Sequence, residues 1–274
     1  MIPRVLIVAG SDSGGGAGIQ ADIKTVTMLG GHAMTAITAI TAQNTLGVEA
    51  VFAIPPRLVV QQMACVVTDL GVDAVKIGMI GGADTVAAVA DELATGLYAG
   101  PIVFDPVMVA TSGALLADAR TIAAMERLAC KSALVTPNLP ELAALCGRER
   151  LDADEVENAA MELADRTGAA VLVKGGHAEG DVVMDRLIDT DGVAASWTHP
   201  RIDTRHSHGT GCTLASGIAT GLAAGLPLAD AVGRAIAYVQ AALAAAPGIG
   251  AGHGPMVHAL GRVPFDDWTA ACPD

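Results

Sequence analysis

Short, uninterrupted apolar runs alternate along the chain with longer segments in which apolar residues recur at helical spacing. Strands without polar alternation are typical of a parallel sheet that helices cover on both faces. The predicted strands are residues 4–9, 33–41, 48–54, 74–77, 102–104, 133–135 and 170–173. The predicted helices are residues 19–29, 57–69, 83–95, 118–129, 138–146, 152–166, 211–224 and 228–245. The alternation predicts an α/β fold with a mostly parallel sheet and right-handed crossovers.

Local signals refine two regions of this pattern. Asp152 and Glu155 have the spacing of a capping box, which predicts that a helix begins at Asp152 and ends at Gly168. Residues 182–189 and 193–197 flank a Thr-Asp-Gly turn, and this arrangement predicts a β-hairpin. No break in composition marks a second domain.

Composition and charge narrow the classes of function. Hydrophobic residues make up 52% of the 274 residues and aromatic residues only 3%, so we expect a core of aliphatic side chains. The formal net charge of −13 argues against nucleic acid and anionic membranes as partners. Residues 207–229 carry no formal charge, but Gly, Ser, Thr and Pro interrupt them, which predicts a buried helix rather than a membrane span. Five cysteines without a Cys-x-x-Cys pair indicate reduced thiols and a cytoplasmic protein.

A Gly-Thr-Gly turn at residues 209–211 leads into an Ala-rich predicted helix. The first N–H groups of a helix have no partner within it, and glycines let an anion approach them, so the turn is a candidate phosphate cradle. The alternative is a plain loop before a buried helix. Cys212 follows, where the helix dipole is expected to lower its pKa, and it either accepts a proton or lines the pocket as a small apolar residue. We assign no metal to His206 and His208.

Polar residues follow most of the predicted strands. In open parallel sheets, ligands bind beyond the carboxyl ends of the strands, so we expect these residues to form one active-site rim. They are Asp12 with its Gly-rich loop, Gln43, Asn44, Lys76, Asp105, Thr136, Asn138, Glu141 and Lys174.

Two common nucleotide signatures are missing from the sequence. No lysine follows a glycine, which excludes a Walker A loop. No Gly-x-Gly-x-x-Gly follows the first strand, which argues against a dinucleotide site of the Rossmann type. A nucleotide would therefore have to be held in another way.

Two carboxylates and a lysine on the rim suggest a site for magnesium and phosphate. Mg²⁺ keeps several waters and usually takes one or two protein carboxylates plus phosphate oxygens. Asp105 and Glu141 fit this role; alternatively, Asp105 holds a turn before Pro106 and Glu141 caps a helix. Lys174 is expected either to meet a nucleotide phosphate or to be solvated. Asp22, after the Gly loop, either reaches the rim or is a surface charge.

Seven motifs occur together within residues 5–215. They are residues 9–22 (AGSDSGGGAGIQAD), 42–45 (AQNT), 76–79 (KIGM), 105–109 (DPVMV), 136–141 (TPNLPE), 173–177 (VKGGH) and 208–213 (HGTGCT). With this set the chain resembles the hydroxymethylpyrimidine/phosphomethylpyrimidine kinases of thiamine biosynthesis. The resemblance implies a ribokinase-like fold, with a central mostly parallel sheet flanked by helices and a small β flap. It also implies one kinase domain over residues 1–274, without a fused thiamine-phosphate synthase.

The resemblance assigns catalytic and substrate-binding roles to matching positions. Gly209, Thr210 and Gly211 would form the anion hole for the transferring phosphoryl group. Cys212 stands where sugar-kinase relatives carry an aspartate base. Gln43 would hydrogen-bond the aminopyrimidine ring. The residues expected in the pyrimidine pocket are Gln43, Gly10, Asp22, Met79 and Val107.

The resemblance also implies ATP as the phosphoryl donor, Mg²⁺ as the metal and a homodimer as the assembly. Asp105, Asn138 and Glu141 would organise Mg²⁺ and its waters, and Lys174 would lie with Asn138 near the nucleotide.

The implied activity is phosphorylation of 4-amino-5-hydroxymethyl-2-methylpyrimidine, followed by phosphorylation of the monophosphate to the pyrophosphate. One alternative is a pyridoxine or pyridoxal kinase of the same fold, and another is a non-catalytic pyrimidine-binding protein. Thr111-Ser112-Gly113 departs from relatives that carry Lys before Ser-Gly, which leaves a positive contact to phosphate in doubt.

Overall fold

One nine-stranded sheet organises the computed structural model, which describes residues 1–109, 113, 116–177 and 180–260. The strands are β1 (Arg4–Asp12), β2 (His32–Gln43), β3 (Val48–Ala53), β4 (Ala74–Ile77), β5 (Ile102–Phe104), β6 (Leu134–Val135), β7 (Ala170–Val173), β8 (Val182–Asp189) and β9 (Gly192–Pro200). Their order is β3-β2-β1-β4-β5-β6-β7-β8-β9. Six neighbouring strands are parallel: β2, β1, β4, β5, β6 and β7. The strands at the two edges, β3 on one side and β8 and β9 on the other, are antiparallel to their neighbours. The predicted mostly parallel sheet and the β8–β9 hairpin are thereby confirmed, while Thr111 and Ser112 lie outside the described residues.

Eight α-helices of the described residues cover the two faces of the sheet. They are α1 (Gly18–Met28), α2 (Pro56–Asp69), α3 (Ala83–Leu93), α4 (Ala119–Ala129), α5 (Leu139–Leu145), α6 (Val156–Thr167), α7 (Thr210–Ala223) and α8 (Leu228–Ala244). Alternate residues of β1 point to opposite sides, because successive side chains of a strand do so. Leu6 and Val8 join the core beneath α2 to α6, whereas Val5 and Ile7 join the core beneath α1, α7 and α8.

Element boundaries differ from the sequence prediction at several places, and two of the larger differences are at β1 and α6. β1 continues past Ala9 to Asp12, because its pairing with β2 resumes beyond a bulge, with Asp12 opposite Thr41. α6 begins at Val156 rather than Asp152. The Glu155 carboxylate does accept a hydrogen bond from the Asp152 N–H at 2.9 Å, but this contact closes a turn before the helix.

β3 is an exposed edge strand and forms the small flap. It pairs antiparallel with the far half of β2, from Ala39 opposite Ala53 to Gln43 opposite Val48. All of its residues after Val48 are exposed. Among the residues that the structure describes, no helix combines the length and the apolar character that a membrane span requires.

Candidate active site

The carboxyl ends of the parallel strands open into a cavity of about 930 Å³. The structure brings the residues predicted to have a catalytic, binding or metal-holding role to its wall, except Asp22. They are Gly10, Gln43, Met79, Asp105, Val107, Asn138, Glu141, Lys174, Gly209, Thr210, Gly211 and Cys212. They meet because successive parallel strands present their carboxyl ends at the same edge of a sheet. Of the other residues expected on the rim, Asn44, Lys76 and Thr136 do not line the cavity.

The turn that precedes α7 requires glycine at position 209. Gly209 is the N-cap of α7 and has a φ of 90°, in the left-handed region that favours glycine. A Cβ at this position would also collide with the backbone carbonyl of Gly16. The close approach places the first turn of α7 against the β1–α1 loop. The N–H groups of Gly211 and Cys212 have no partner within the helix, and both residues line the cavity, as a phosphate cradle requires. The Thr210 N–H donates to the Ser207 carbonyl at 3.3 Å.

Asp12 organises the β1–α1 loop from within. Its carboxylate accepts hydrogen bonds from the N–H groups of Gly14 (2.8 Å), Gly16 (3.0 Å) and Ala17 (2.8 Å). Its Oδ2 also lies 3.0 Å from Nε2 of His208. Burial would raise the pKa of Asp12, but the hydrogen bonds from His208, Ala17 and Gly14 bring it below its ordinary value. The Gly-rich loop is therefore a hydrogen-bonded structure around an ionised carboxylate.

Lys174, Asp105 and Glu141 form a charged cluster on the cavity wall. Lys174 Nζ lies 2.8 Å from Asp105 Oδ1 and 3.5 Å from Glu141 Oε2. Burial would lower the pKa of Lys174, but the two carboxylates raise it above its ordinary value. Burial raises the pKa of Glu141 in spite of the attraction of Lys174. Thr136 donates to the same Asp105 oxygen at 3.1 Å, so Asp105 is fixed from two sides.

Glu141 also closes the capping box of α5. Its Oε2 accepts from the Asn138 N–H at 2.8 Å, and Asn138 Oδ1 accepts from the Glu141 N–H at 2.8 Å. The helix-capping alternative is thus correct, and it holds the carboxylate at the cavity wall. In the described part of the chain, no group of three or more His, Cys, Asp and Glu side chains is suited to a metal. Two carboxylates fit a largely hydrated Mg²⁺ that arrives with a nucleotide phosphate.

Cys212 has a pKa opposite to the sequence prediction. Burial raises the pKa of its thiol to about 11; the Lys76 charge opposes this rise, and the charges of Asp22 and Asp105 reinforce it. The predicted lowering by the dipole of α7 is therefore wrong, because desolvation of the thiolate is the larger effect. In the free protein Cys212 is a protonated thiol at neutral pH.

Asp22 lies away from the cavity wall, so neither sequence interpretation of it is right. Its side chain is fully buried, and both oxygens contact Lys76 Nζ, at 2.9 and 2.8 Å. Ser216 of α7 donates to Oδ1 at 2.7 Å. Because these partners occupy the carboxylate oxygens, the oxygens are not available to bind a substrate. Asp22 thus ties α1 to β4 and α7, and it supports the site from outside the cavity.

The sequence analysis missed several residues of the cavity wall. Some of them precede α7 or lie on β8 and β9. Polar side chains are common on any exposed hairpin, so nothing in the sequence marked these residues as part of a site. Asp185 of β8 accepts from the Gly175 N–H at 2.8 Å and lies 3.3 Å from His199 Nε2. Other missed residues of the wall are Arg201, Ser207, His208, Ile236 and Gln240. Asp12, by contrast, was predicted on the rim together with the Gly run that follows it, and it does line the cavity.

The described segment after α8, residues 245–260, is irregular and is docked against the site. The His253 N–H donates to the Thr45 carbonyl at 2.8 Å, next to the turn that carries Gln43. The His208 N–H donates to the Gly254 carbonyl at 3.2 Å. His258 Nε2 lies 3.0 Å from the hydroxyl of Thr213 in the first turn of α7. The segment therefore touches both the Gln43 turn and the phosphate cradle.

Comparison with known proteins gives a consistent set of relatives. The family described as Phosphomethylpyrimidine kinase matches residues 12–257. A hydroxymethylpyrimidine/phosphomethylpyrimidine kinase of Rhizobium meliloti is 51% identical over 263 residues, which cover 94% of this chain and 97% of that protein. The thiamine biosynthesis bifunctional protein ThiED of Geobacter sulfurreducens is 48% identical over 93% of this chain. The chain spans 52% of that longer protein.

Solved structures agree with the fold. The ADP complex of Bacillus subtilis pyridoxal kinase superimposes with a TM-score of 0.86 at 31% identity, over 94% of this chain and 98% of that one. The phosphomethylpyrimidine kinase of Clostridium difficile superimposes with a TM-score of 0.74 at 34% identity, over 88% of this chain and 98% of that one. These similarities confirm the ribokinase-like α/β fold. The family match over residues 12–257 and the 51% identity to the Rhizobium meliloti kinase show that this chain belongs to the phosphomethylpyrimidine kinase family.

Proposed function

We propose that the chain transfers the γ-phosphoryl group of ATP to the hydroxymethyl group of 4-amino-5-hydroxymethyl-2-methylpyrimidine and then to the resulting monophosphate. One observation carries this proposal: a carboxamide, a phosphate cradle and a lysine–carboxylate cluster line the same cavity. The relatives named for this activity, at 41–51% identity, support it. Phosphoryl transfer needs mainly positioning and charge stabilisation, which these three features supply.

The pyrimidine is proposed to bind beside Gln43. The carboxamide of Gln43 offers both a donor and an acceptor to an aminopyrimidine. Met79 packs directly over Gly10, so a side chain at position 10 would displace it from this part of the wall. Val107 lines the same cavity. These residues form a largely apolar slot with one polar group that fixes the orientation of the ring.

The phosphoryl group is proposed to pass across the first turn of α7. The backbone N–H groups there stabilise the developing negative charge, in the manner of an oxyanion hole. Thr210 and Gly211 begin the helix, and a Cβ added at Gly211 would lie 3.4 Å from both Asp105 Oδ2 and Lys174 Nζ. The cradle is therefore next to the charged cluster.

The nucleotide is proposed to lie against Lys174 and Asn138. Asp105 and Glu141 would hold Mg²⁺ through its waters, and the ion would supply charge neutralisation on the phosphates. Lys174 remains charged well above neutral pH, because the carboxylates raise its pKa. It thus provides a constant positive charge in a chain of net charge −13.

Cys212 is proposed to accept the proton of the hydroxymethyl group as the new O–P bond forms and the bond to ADP breaks. Only the thiolate accepts a proton, and its pKa of about 11 keeps it scarce at neutral pH. We therefore expect kcat/KM for the pyrimidine to rise about tenfold per pH unit between about pH 7 and 9. The Cys212→Ser variant should lose this rise. A flat profile in the parent protein would instead make Cys212 part of the pocket wall.

ATP consumption by the purified protein tests the main proposal. The candidate acceptors are hydroxymethylpyrimidine, its monophosphate and pyridoxal, each with Mg²⁺, and mass spectrometry identifies the products. We expect the pyrimidine pyrophosphate. A product from pyridoxal alone would keep the fold and the cradle but overturn the substrate.

Pyridoxal kinase activity is the second candidate, and a structural observation favours it. Pyridoxal kinases of Bacillus subtilis and Staphylococcus aureus superimpose with TM-scores of 0.84–0.86, above the 0.74 of the Clostridium difficile phosphomethylpyrimidine kinase. Their identity of 30–31% is lower than that of the pyrimidine kinases. Competition between the two substrates at equal concentration decides between them.

The assembly is proposed to be a homodimer of single kinase domains, each spanning residues 1–274, in the cytoplasm. Ile40 and Phe52 are cross-strand partners on the flap, and their side chains are 49% and 66% exposed. Such an apolar edge strand favours pairing with a second copy. Light scattering should give a dimer that Phe52→Asp dissociates, and a monomeric parent protein would contradict the proposal. The described cysteines are free thiols, which suits a reducing compartment.

A further inference from the structure

His208 contacts two polar side chains through a single ring nitrogen. Its Nε2 lies 3.0 Å from Asp12 Oδ2 and 3.2 Å from the atom placed as the Gln43 amide nitrogen. Asp12 is an ionised carboxylate and only accepts, so Nε2 of His208 must carry a hydrogen. A ring nitrogen that carries a hydrogen cannot accept one from an amide N–H. The Gln43 nitrogen therefore faces another donor.

Thr41 shows the complementary conflict on the other side of Gln43. Its buried hydroxyl lies 2.9 Å from the Ser11 carbonyl oxygen and 3.2 Å from the atom placed as Gln43 Oε1. Both partners accept, but a hydroxyl has only one hydrogen to donate. Exchanging the oxygen and nitrogen of the Gln43 carboxamide lets its amino group donate to Thr41. The same exchange lets the one Nε2 hydrogen of His208 be shared, in a three-centre bond, between Asp12 Oδ2 and the Gln43 carbonyl. Such exchanges are decided by the hydrogen-bond network, because the two atoms are nearly isosteric.

We propose that Asp12 and His208 are positioning residues that fix the orientation of the Gln43 carboxamide and so determine its specificity for an aminopyrimidine. Asp12 holds the hydrogen on Nε2 of His208, and this N–H is shared between the Asp12 carboxylate and the Gln43 carbonyl. The Gln43 amino group then donates to Thr41. The relay joins the first loop of the chain, β2 and the residue before the phosphate cradle.

This orientation leaves Gln43 with one N–H donor and one carbonyl lone pair for a ligand. A 4-aminopyrimidine presents the matching pair on adjacent atoms, since a ring nitrogen accepts and the neighbouring amino group donates. Pyridoxal has no amino group beside its ring nitrogen. The inference thus rests on the proposed function and explains why the pocket would prefer the pyrimidine.

The tautomer of His208 tests the first link without any catalytic assay. Long-range ¹H–¹⁵N correlation spectra of the uniformly labelled protein distinguish a ring nitrogen that carries a hydrogen from one that does not. We expect the neutral imidazole of His208 to carry its hydrogen on Nε2. Asp12→Asn should shift the population toward the other tautomer. A neutral ring with the hydrogen on Nδ1 in the parent protein would overturn the proposal.

Ligand discrimination tests the second link. Calorimetry without ATP compares the Kd of hydroxymethylpyrimidine with that of its analogue lacking the 4-amino group. We expect the parent protein to prefer the amino compound and His208→Phe to lose about tenfold of that preference. The control is His32→Phe, since His32 is exposed at the far end of β2. An unchanged preference in a folded His208→Phe protein would contradict the relay.

The two measurements separate this inference from the proposed function. If the parent protein binds neither pyrimidine, the proposed substrate is wrong, and the His208 tautomer alone then decides whether Asp12 orients the ring. If it binds both compounds equally, the relay does not determine specificity. A preference that depends on His208 supports both.

Discussion

Asp22 and Lys76 form an ion pair that has no contact with solvent. A buried pair is costly to desolvate, but removing one partner is worse, since the other charge is then left alone. Both residues lie within motifs of the sequence, but the sequence could not show that they pair, because they are 54 positions apart. Whether a charge lies in the wall or beneath it depends on packing rather than on spacing.

Removing the charge of Lys76 should destabilise the fold strongly. We expect Lys76→Met to lower the free energy of unfolding by about 3–5 kcal/mol. The double variant Asp22→Asn/Lys76→Met should lose less than the sum of the single variants, because no uncompensated charge remains. Urea denaturation measures all three.

The matched control is Arg120→Met, which breaks a pair with Asp84 in which both side chains are 75% exposed. It should cost less than about 1 kcal/mol. Equal losses of unfolding free energy in Lys76→Met and Arg120→Met would show that the buried pair contributes no more to stability than the exposed one.

At the scale of elements, the site depends on where α7 begins. The sequence located this helix to within one residue, because glycine and small residues precede an Ala-rich run. It did not show that the turn is pressed against the β1–α1 loop. That contact follows from the length of β1, which runs three residues beyond its apolar part and carries Asp12 to the cradle.

Substituting Gly209 should disable the cradle. An alanine there would be strained in the left-handed region and would meet the Gly16 carbonyl, so the first turn of α7 must move. We expect Gly209→Ala to reduce kcat by at least about 100-fold, the loss that follows removal of an oxyanion-hole donor. Gly47→Ala is the control, since a Cβ there meets open space. Turnover within a factor of two of the parent protein would refute the cradle.

At the scale of the whole molecule, the periodicity of the sequence was enough to predict the sheet, its helical cover and the common rim. The path of the chain after α8 was not predictable, because Gly- and Pro-rich segments carry no periodic signal. The structure binds this segment to α7 through His258. Burial lowers the pKa of His258 to about 4, with a smaller contribution from Lys24, so the docked imidazole is neutral.

The docking of His258 should therefore weaken in acid. An unfolded histidine gains a proton near its ordinary pKa of about 6.5, whereas the folded one resists protonation down to about pH 4. The free energy of unfolding should fall by up to about 3 kcal/mol as the pH drops through this interval. Urea denaturation at several pH values measures the fall, which His258→Gln should reduce and His32→Gln should not. An identical acid dependence in His258→Gln would locate the effect elsewhere.

The contact between Asp12 and His208 spans 196 positions of the chain, and Gly254 holds the His208 backbone from a point still further on. During synthesis, the sheet strands through β9 emerge before the residues that complete the pocket. A nascent chain can thus bury much of its core while it still lacks a binding-competent site. Ligand affinity should appear late and abruptly, once residues up to about His258 have left the ribosome.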